Sequence, residues 1–531
     1  MNKKRVMWIY FLFLCTSLFL AFRLFVIAQN GSRATEALAG QYTRSMGVIK
    51  RNGFVFDRNG EKIDVVSDGF ITLVDPAQLI YEKATELSEL LSQSSTFAQS
   101  YFYEKILSEK PFVIKTNIRV EHERCASFEK YKENDSLFLH LLGYRNSDGV
   151  GMSGILKAYD AFLTKYSAAD VKAVYRSDAK GRRAINTDIE IFDDGYSSAE
   201  GLYLTVDKKI QECVERICEK HIDIGAVVVQ DTRTGEILAM VSAPLFDKNK
   251  LSEYLDSDRG ELLNRSVLGY TPGSVFKSVI AVSALSDENF DPEKEYECVG
   301  YIEIDGQKIK CHNTSGHGKV NLKKAFAVSC NPYFINLGCN IGYEKIIETA
   351  SSLGVGKYSS VNLLPCAKGV LPKHEDVGTV ANISVGQGQI LLSPLQVCSM
   401  ISTLVTGEYH KPSLVKKTVA DSFVTHYLEL GEKTVLSDDM VDVMKELFES
   451  CVNDGTGYRA KSDMVQTAGK TATAQSGQIR DGKEVVHSWF AGYFPADIPQ
   501  YTICVLCDGN SSENAHPSEI FRLIAEAICA L

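Results

Sequence analysis

The sequence predicts an α+β fold for its larger C-terminal part, and three observations lead to this prediction. Strand-like runs stand at both ends of residues 201–531, with residues 202–206 and 225–241 near the start and residues 489–507 near the end. Helical patterns fill the stretch between these runs, which is typical of one α+β domain built on an antiparallel sheet. The composition, with 45% hydrophobic and 23% charged residues in a chain of 531, excludes a disordered chain.

The N-terminus predicts a membrane anchor. An apolar run over residues 6–27 follows basic residues at positions 3–5 and contains one charged side chain, Arg23, near its far end. About 20 helical residues cross a bilayer, and basic residues in front place the N-terminus in the cytoplasm. A cleaved signal peptide is the alternative, but its apolar region is shorter, at about 7–15 residues. We therefore predict a short cytoplasmic tail and an anchor in residues 1–30, with all later residues outside the cytoplasm.

The segment between the anchor and the α+β domain, residues 31–200, is predicted to be an extended pedestal domain. It is rich in polar turns and mixed elements, and no pattern of chemically reactive side chains stands out in it. An extended spacer or a binding module is the natural interpretation. The chemistry is expected in residues 201–531.

The cysteines do not form a simple disulfide pattern. Of 14 cysteines only Cys15 lies in the anchor, and the odd number left outside the cytoplasm cannot all pair within one chain. Most are expected to be small buried hydrophobic residues. Cys504 and Cys507 lie in a strand, where residues three apart point to opposite faces, so they are not expected to form a redox or metal pair. Cys298 and Cys311 flank a hairpin-like run, and either close a disulfide across it or remain buried thiols.

The first chemical motif is Ser274 with Lys277, inside residues 270–277. Pro and Gly break the chain before Ser274, which then opens an apolar helix whose positive end stabilises a developing alkoxide. Lys277 is three residues on, on the same face. A lysine desolvated beside a serine loses its charge and can accept the hydroxyl proton.

The second motif is Ser329 with Asn331, after the helical run 322–328. A hydroxyl and an amide two residues apart can point into the same cleft, where one relays protons and the other holds a substrate amide. The alternative is a helix end that is capped by these two side chains.

The third motif is Lys470 to Thr473 within residues 467–474, a strand-like run of small residues. Such a strand suits a peptide that lies alongside a sheet edge. Lys470 offers positive charge, Thr471 and Thr473 offer hydroxyls for a carboxylate, and a strand amide can complete an oxyanion hole.

The order of the motifs is the most specific feature of the sequence. Ser329 follows Ser274 by 55 residues, and Lys470 follows Ser329 by 141 residues. Serine–lysine, serine–x–asparagine and lysine–threonine motifs in this order are the signature of penicillin-binding proteins and class A β-lactamases. Nearly the whole chain resembles the class B penicillin-binding proteins, the monofunctional peptidoglycan D,D-transpeptidases of division, elongation and sporulation. Further landmarks of that family match at residues 47–61, 140–159, 178–182, 264–265, 317–318, 385–388 and 455–457.

The resemblance implies a role for each motif residue. Ser274 would be the acylated nucleophile and Lys277 its base, while Ser329 would pass a proton toward the leaving D-alanine. Asn331 would position the donor peptide. Lys470 would support the electrostatics, and Thr471 and Thr473 would contact the terminal carboxylate, with the backbone amides of Ser274 and Thr473 forming the oxyanion hole.

Two residues depart from the family pattern. Cys330, at the variable position of the second motif, is expected to be harmless. Ala472 stands where the family usually has glycine, and its methyl group is expected to crowd the substrate strand. The resemblance implies no metal and no cofactor.

Three alternative functions share these motifs. A β-lactamase needs a deacylating base, and the string at residues 449–453 lies too close to the third motif to match the layout of class A enzymes. A D,D-carboxypeptidase would transfer the same acyl group to water. A non-catalytic scaffold or β-lactam sensor would work through the pedestal, but the intact motif residues argue against it.

The resemblance also implies the binding partners. These are peptidoglycan stem peptides ending in D-Ala-D-Ala, β-lactam antibiotics, and a membrane glycan polymerase of the shape, elongation, division and sporulation family. Nucleic acid is not expected, because the net charge is −10 and no strongly basic block follows the first few residues.

Overall fold

The structure is a computed structural model that describes residues 3–531, except residues 185, 197, 374, 422, 428–432, 481 and 510–515. Its α-helices are Lys3–Gln41 (α1), Tyr81–Gln93 (α2), Gln99–Leu107 (α3), Leu139–Leu142 (α4), Gly154–Ala158 (α5), Lys208–His221 (α6), Lys277–Leu285 (α7), Leu322–Ala327 (α8), Asn331–Ile341 (α9), Tyr343–Ser352 (α10), Val377–Ile383 (α11), Pro394–Thr406 (α12), Asp438–Asn453 (α13) and Pro517–Cys529 (α14). Short 3₁₀ helices cover Lys248–Tyr254, Arg265–Val267, Gly273–Phe276 and Tyr458–Ala460, and a π-helical turn covers Phe162–Tyr166.

The strands are numbered in chain order. They are Thr43–Arg51 (β1), Phe54–Phe56 (β2), Val65–Val74 (β3), Phe112–Thr116 (β4), Cys125–Glu133 (β5), Ala169–Arg176 (β6), Glu190–Asp194 (β7), Gly201–Leu204 (β8), Gly225–Asp231 (β9), Ile237–Ala243 (β10), Tyr296–Cys298 (β11), Tyr301–Ile304 (β12), Gln307–Lys310 (β13), Gly318–Val320 (β14), Ser360–Val361 (β15), Leu364–Pro365 (β16), Glu408–Tyr409 (β17), Val415–Ala420 (β18), Phe423–His426 (β19), Lys433–Thr434 (β20), Ala468–Arg480 (β21), Lys483–Phe494 (β22) and Tyr501–Asp508 (β23).

The N-terminal helix α1 contains the predicted anchor. Residues Val6–Val26 have a mean hydropathy of 2.1 and are the one stretch of the described chain that is long and apolar enough to cross a membrane. The helix continues to Gln41, well beyond the predicted end of the apolar run. A single N-terminal apolar helix is what a single-pass anchor requires.

The chain divides into two compact units. The first comprises residues 1–52, 66–132 and 168–199, and the second comprises residues 53–65, 133–167 and 200–531. The first unit contains two three-stranded sheets with strand orders β1-β6-β7 and β4-β3-β5. Helices α2 and α3 supply an apolar core that includes Leu87, Leu91 and Phe102.

The second unit is built on a five-stranded sheet with the strand order β10-β9-β23-β22-β21. All four pairings in this sheet are antiparallel. Residues 225–231 pair with the last strand of the chain, so the two ends of the unit meet in one sheet, and the predicted α+β class is confirmed.

Helices cover both faces of this sheet. On one face, side chains of α6 and α14 pack with Val227, Val229 and Cys507, and on the other face Val228 and Cys504 join the larger core that contains α7, α12 and α13. The period of two in a strand explains this division. Cys504 and Cys507 therefore point to opposite faces, as predicted.

Helix α7 is the central helix of the larger core. Every residue from Lys277 to Ala284 is buried, so the helix is surrounded by protein rather than lying on the surface. Lys277 is the first residue of this buried helix and its one charged residue, so the packing of the helix fixes the position of that charge.

Candidate active site

The nucleophile position lies in a tight turn that the backbone of a distant loop holds in place. Ser274 is half-buried in the 3₁₀ turn Gly273–Phe276, directly before α7. The Gly273 amide donates a 2.9 Å hydrogen bond to the carbonyl oxygen of Gly386. A Cβ atom on Gly386 would lie 1.9 Å from the Gly273 carbonyl oxygen, so this contact requires glycine.

Lys277 lies one turn after Ser274 and is fully buried. Its Nζ donates to the Ser329 carbonyl oxygen at 2.8 Å, to Ser329 Oγ at 3.1 Å and to Asn331 Oδ1 at 2.7 Å. Burial lowers the pKa of Lys277 well below its usual value, and the charge of Lys470 lowers it further. The first and second motifs are thus joined at one amine, and its lowered pKa makes the loss of its proton easier.

The second motif lies in the connection between α8 and α9. Ser329 has φ of +55°, an unusual conformation for a serine, and its carbonyl and hydroxyl oxygens both reach Lys277. Asn331 is the first residue of α9, but its side chain binds Lys277 and the residue before it makes no side-chain cap. The capping interpretation is therefore wrong for this motif.

The third motif lies on β21, which is the edge strand of the five-stranded sheet. Lys470 and Ala472 are buried, whereas Thr471 is half-buried and Thr473 is exposed. The Lys470 Nζ donates a 3.2 Å hydrogen bond to the carbonyl oxygen of Thr471. Burial lowers the pKa of Lys470 as well.

The methyl group of Ala472 does not lie where the sequence suggested. Ala472 is 5% exposed and pairs with the fully buried Trp489 on β22, so both side chains are on the buried face of the sheet. A Cβ built on Gly273 would lie 3.3 Å from the Ala472 methyl carbon. Because side chains stand perpendicular to a sheet and an added strand lies in its plane, this methyl packs against the Gly273 turn and does not crowd the edge.

A neighbouring residue orients the third motif. The hydroxyl oxygens of Thr456 and Thr471 are 2.5 Å apart. The Thr456 amide donates to the carbonyl oxygen of Ala327, at the end of α8, at 3.1 Å. Thr456 therefore ties β21 to the helix that leads into the second motif.

One cavity, with a volume of about 310 Å³, brings the three motifs together. It is lined by Ser274, His312, Ser329, Asn331, Val385, Gln387, Thr456, Thr471, Ala472, Thr473 and His516. Lys277 and Lys470 are buried beneath this lining. Two other cavities, of about 420 and 570 Å³, contain none of the predicted motif residues.

Two cavity residues were not predicted from the sequence. His312 lies in the loop after β13, and His516 precedes α14, where its ring nitrogen accepts from the Ser518 amide at 3.3 Å. Burial lowers the pKa of His516. Neither histidine has a motif around it, so its proximity to Ser274 depends on the fold.

Comparison with known proteins identifies the family. The family model described as penicillin binding protein transpeptidase domain matches residues 225–526, more than half of the chain. The chain belongs to the penicillin-binding protein transpeptidase family. The matched residues contain all three motifs, and the resemblance to class B penicillin-binding proteins is confirmed.

Curated relatives of this transpeptidase family extend the similarity toward the N-terminus. The chain is 28% identical over 514 residues to stage V sporulation protein D of Bacillus subtilis. This match covers 90% of this chain and 77% of that protein. It is 30% identical over 359 residues to peptidoglycan D,D-transpeptidase MrdA of Acinetobacter baumannii. This match covers 60% of this chain and 53% of that protein.

A solved structure shares the fold across both units. The complex between penicillin-binding protein PBP2 and MreC from Helicobacter pylori contains a chain that matches with a TM-score of 0.64 and 21% identity. The match covers 92% of this chain and 98% of that one. The predicted fold, a transpeptidase domain with an N-terminal pedestal region, is confirmed.

Proposed function

We propose that this protein is a peptidoglycan D,D-transpeptidase that forms an acyl-enzyme at Ser274. The observation that carries the proposal is the set of three hydrogen bonds from the buried Lys277 to Ser329 and Asn331, directly beneath a cavity that contains Ser274. Family membership and the names of the curated relatives support the same function.

Acylation begins at the start of α7. The neutral Lys277 amine takes the proton of the Ser274 hydroxyl as Oγ attacks the carbonyl carbon between the two terminal D-alanines. The backbone amides of Ser274 and Thr473 stabilise the oxyanion. The amide bond then breaks and an ester forms on Ser274. Ser329, within 3.1 Å of Lys277 Nζ, passes the proton to the leaving D-alanine.

Deacylation regenerates the serine. The amine of a second stem peptide attacks the ester carbonyl, loses a proton to the Ser329–Lys277 pair, and forms the cross-link as Ser274 takes its proton back. Atoms and charges balance without a metal or a cofactor. Asn331, whose Oδ1 accepts from Lys277, donates one N–H of its amide to the Lys310 carbonyl oxygen at 3.5 Å and has a second N–H for the donor peptide.

The edge strand accounts for peptide binding. An extended stem peptide pairs with the open side of β21, and Thr471 and Thr473 lie next to its terminal carboxylate. Lys470 places positive charge beneath this position. We propose that Thr456 keeps the Thr471 hydroxyl aimed at the carboxylate through its 2.5 Å contact.

The cavity lining favours a transpeptidase over a β-lactamase. Within the described residues no carboxylate lines the cavity, and Glu449, the candidate deacylating base in the sequence, is not among the lining residues. Without a carboxylate base to activate water, a β-lactam acyl-enzyme is long-lived. A D,D-carboxypeptidase shares the acylation step and differs only in the acceptor.

We propose that α1 anchors the protein with the N-terminus in the cytoplasm and that residues 31–200 supply a pedestal, although residues 53–65 and 133–167 of that range belong to the second compact unit. By resemblance to the class B family, the pedestal and anchor bind a membrane glycan polymerase. The PBP2 chain from Helicobacter pylori was solved in complex with another protein, MreC, which supports partner binding by proteins of this fold.

The test uses fluorescent penicillin on the full-length protein. Covalent label should map to Ser274 by peptide mass spectrometry and disappear in Ser274→Ala. The matched control is Ser278→Ala, which lies in α7 just after the turn that contains Ser274 and outside the cavity lining, and which should keep the label. Labelling that survives in a folded Ser274→Ala protein contradicts the assignment. Release of D-alanine without incorporation of an acceptor amine would identify a carboxypeptidase instead.

A further inference from the structure

A second cluster of reactive side chains adjoins the second motif, and the transpeptidase mechanism does not use it. The cluster comprises Cys298, Cys311, His317 and Cys330, and their ligand atoms all lie within 4.8 Å of one another. The three cysteines are buried and none is in a disulfide, so the disulfide considered for Cys298 and Cys311 is absent from this structure.

Four separate elements bring the cluster together. Cys298 ends β11 and His317 immediately precedes β14, and these two strands pair with each other. Cys311 follows β13, at the end of the hairpin that the sequence predicted. Cys330 is the residue before α9. The sequence order is Cys-x₁₂-Cys-x₅-His-x₁₂-Cys, a regular spacing that could have drawn attention to the cluster.

The distances match a tetrahedral metal site. His317 Nδ1 lies 3.7 Å from Cys298 Sγ and 3.5 Å from Cys311 Sγ. A tetrahedral zinc ion, with bonds of about 2.3 Å to sulfur and about 2.0 Å to nitrogen, separates the two donor atoms by about 3.5 Å. The two sulfur–nitrogen distances therefore already match such an ion, and all four donor atoms lie within 4.8 Å of one another.

The backbone around the cluster is closely fitted. The Cys311 amide donates a 2.8 Å hydrogen bond to the Gly300 carbonyl oxygen, which joins the loops that carry two of the cysteines. Gly316, with φ of +85°, approaches the Cys298 carbonyl so closely that a Cβ atom there would lie 2.2 Å from the oxygen. The ligand atoms are thus held together by the fold and not by their own flexibility.

We propose that Cys298, Cys311, His317 and Cys330 bind one zinc ion. Three thiolates and one imidazole are a donor set that zinc favours, and four protein ligands make a closed, structural site. Each cysteine that binds gives its S–H proton to solvent, His317 binds through Nδ1 as a neutral imidazole, and no electrons are transferred. This proposal differs from the expectation, implied by the family resemblance, that the protein holds no metal.

The position of Cys330 links the proposed metal site to the active site. Cys330 lies between Ser329 and Asn331, whose side chains are both held by Lys277. A metal bond to Cys330 fixes the segment that presents these two acceptors. This consequence rests on the proposed function, whereas metal binding itself does not. Cys330 is therefore a positioning residue and not a neutral occupant of the variable position.

Metal content is the first measurement. The full-length protein, purified in detergent without chelators, should contain about one zinc per chain by mass spectrometry of the metal. Cys298→Ala and Cys311→Ala should lower the zinc affinity by about 10- to 100-fold or more. Cys504→Ala, a buried cysteine outside the cluster, is the matched control and should keep the metal.

A conservative variant separates metal binding from a packing role. Cys298→Asp replaces the thiolate by a carboxylate, which zinc also accepts, so this variant should retain more zinc than Cys298→Ala. Replacement of zinc by cobalt should give the strong visible absorption of a tetrahedral thiolate complex. Labelling by penicillin should slow in Cys298→Ala by about tenfold and recover in part in Cys298→Asp.

Two results would overturn the site. One is a fully reduced wild-type protein that takes up no zinc when it is titrated with the metal. The other is a disulfide among Cys298, Cys311 and Cys330 in the protein as isolated, identified after non-reducing digestion. A protein that binds zinc but is not labelled by penicillin would instead contradict the proposed function and leave the metal site intact.

Discussion

The start of α7 and the edge strand β21 each place a fully buried lysine next to the same cavity, and the two lysines differ in their partners. The Nζ atom of Lys277 lies 5.5 Å from the ring centroid of Phe334, and the Nζ atom of Lys470 lies 5.5 Å from the ring centroid of Phe326. Burial lowers the pKa of both. Lys277, however, donates to three oxygens of the second motif, whereas Lys470 donates to the backbone of its own strand.

The difference shows that burial alone does not define a general base. One partner of Lys277 is the Ser329 hydroxyl, which can both accept and donate a proton, and Ser274 lies one turn away. Lys470 has a carbonyl partner that accepts a hydrogen bond and releases no proton. We therefore expect Lys277 to act through its loss of a proton and Lys470 to act through its charge.

The largest effect is expected when Lys277 is replaced. Replacement of each lysine by arginine, which stays protonated in proteins, tests the difference between the two lysines. Lys277→Arg and Lys277→Ala should both slow acylation by penicillin about 10²- to 10⁴-fold, because neither side chain can accept the Ser274 proton. Lys470→Ala should slow acylation by about 10²-fold, and Lys470→Arg should recover much of that loss. The measurement is the second-order rate of gel-detected acylation.

Thermal unfolding of each variant is the control, because both lysines are buried. A folded Lys277→Arg protein that acylates at nearly the wild-type rate would contradict the role of Lys277 as the base. Equal losses in Lys470→Arg and Lys470→Ala would show that shape, rather than charge, matters at Lys470.

The pH dependence of acylation also distinguishes the two lysines. Neutral Lys277 is the base, so the rate should rise as the pH rises through the pKa of Lys277, which is well below that of a free lysine. The positive charge of Lys470 contributes to this lowering, and Lys470→Ala should therefore move the rising limb to higher pH. Lys470→Arg should leave the limb in place, and a limb that does not move in Lys470→Ala would contradict the coupling.

A smaller effect is expected on the strand side of the cavity. Thr456→Val keeps the shape but removes the hydroxyl that contacts Thr471. One hydrogen bond is worth about 0.5–1.5 kcal/mol, so acylation should slow by roughly 2- to 13-fold. Thr403→Val, at a buried threonine outside the cavity lining, is the control. An unchanged rate in Thr456→Val would mean that Thr471 is held by other contacts.

The smallest effect is expected at Ala472. Because its methyl packs against the Gly273 turn, Ala472→Gly should lower the free energy of unfolding by about 0.5–1 kcal/mol, the usual cost of glycine in a strand. The ratio of acylation rates for a bulky and a small β-lactam should stay the same. A selective gain for the bulky compound in stopped-flow acylation would restore the steric explanation that the sequence suggested.

Local sequence determined the elements that carry the motifs. The Pro-Gly break predicted the turn before α7, and small residues around Lys470 predicted a strand that the structure has as β21. Alternation around Asp305 and Gly306 predicted the hairpin β12–β13. These signals come from backbone preferences and hydrophobic period, which a short segment contains by itself.

Long-range packing determines which side chains meet. The face of Ala472 follows from its pairing with Trp489, and the acceptors of Lys277 come from a segment more than 50 residues away. The cluster of Cys298, Cys311, His317 and Cys330 depends on four elements that converge, and His516 lines the cavity from the position just before α14. Contacts of this kind depend on strand register and long-range packing, which local propensity does not encode.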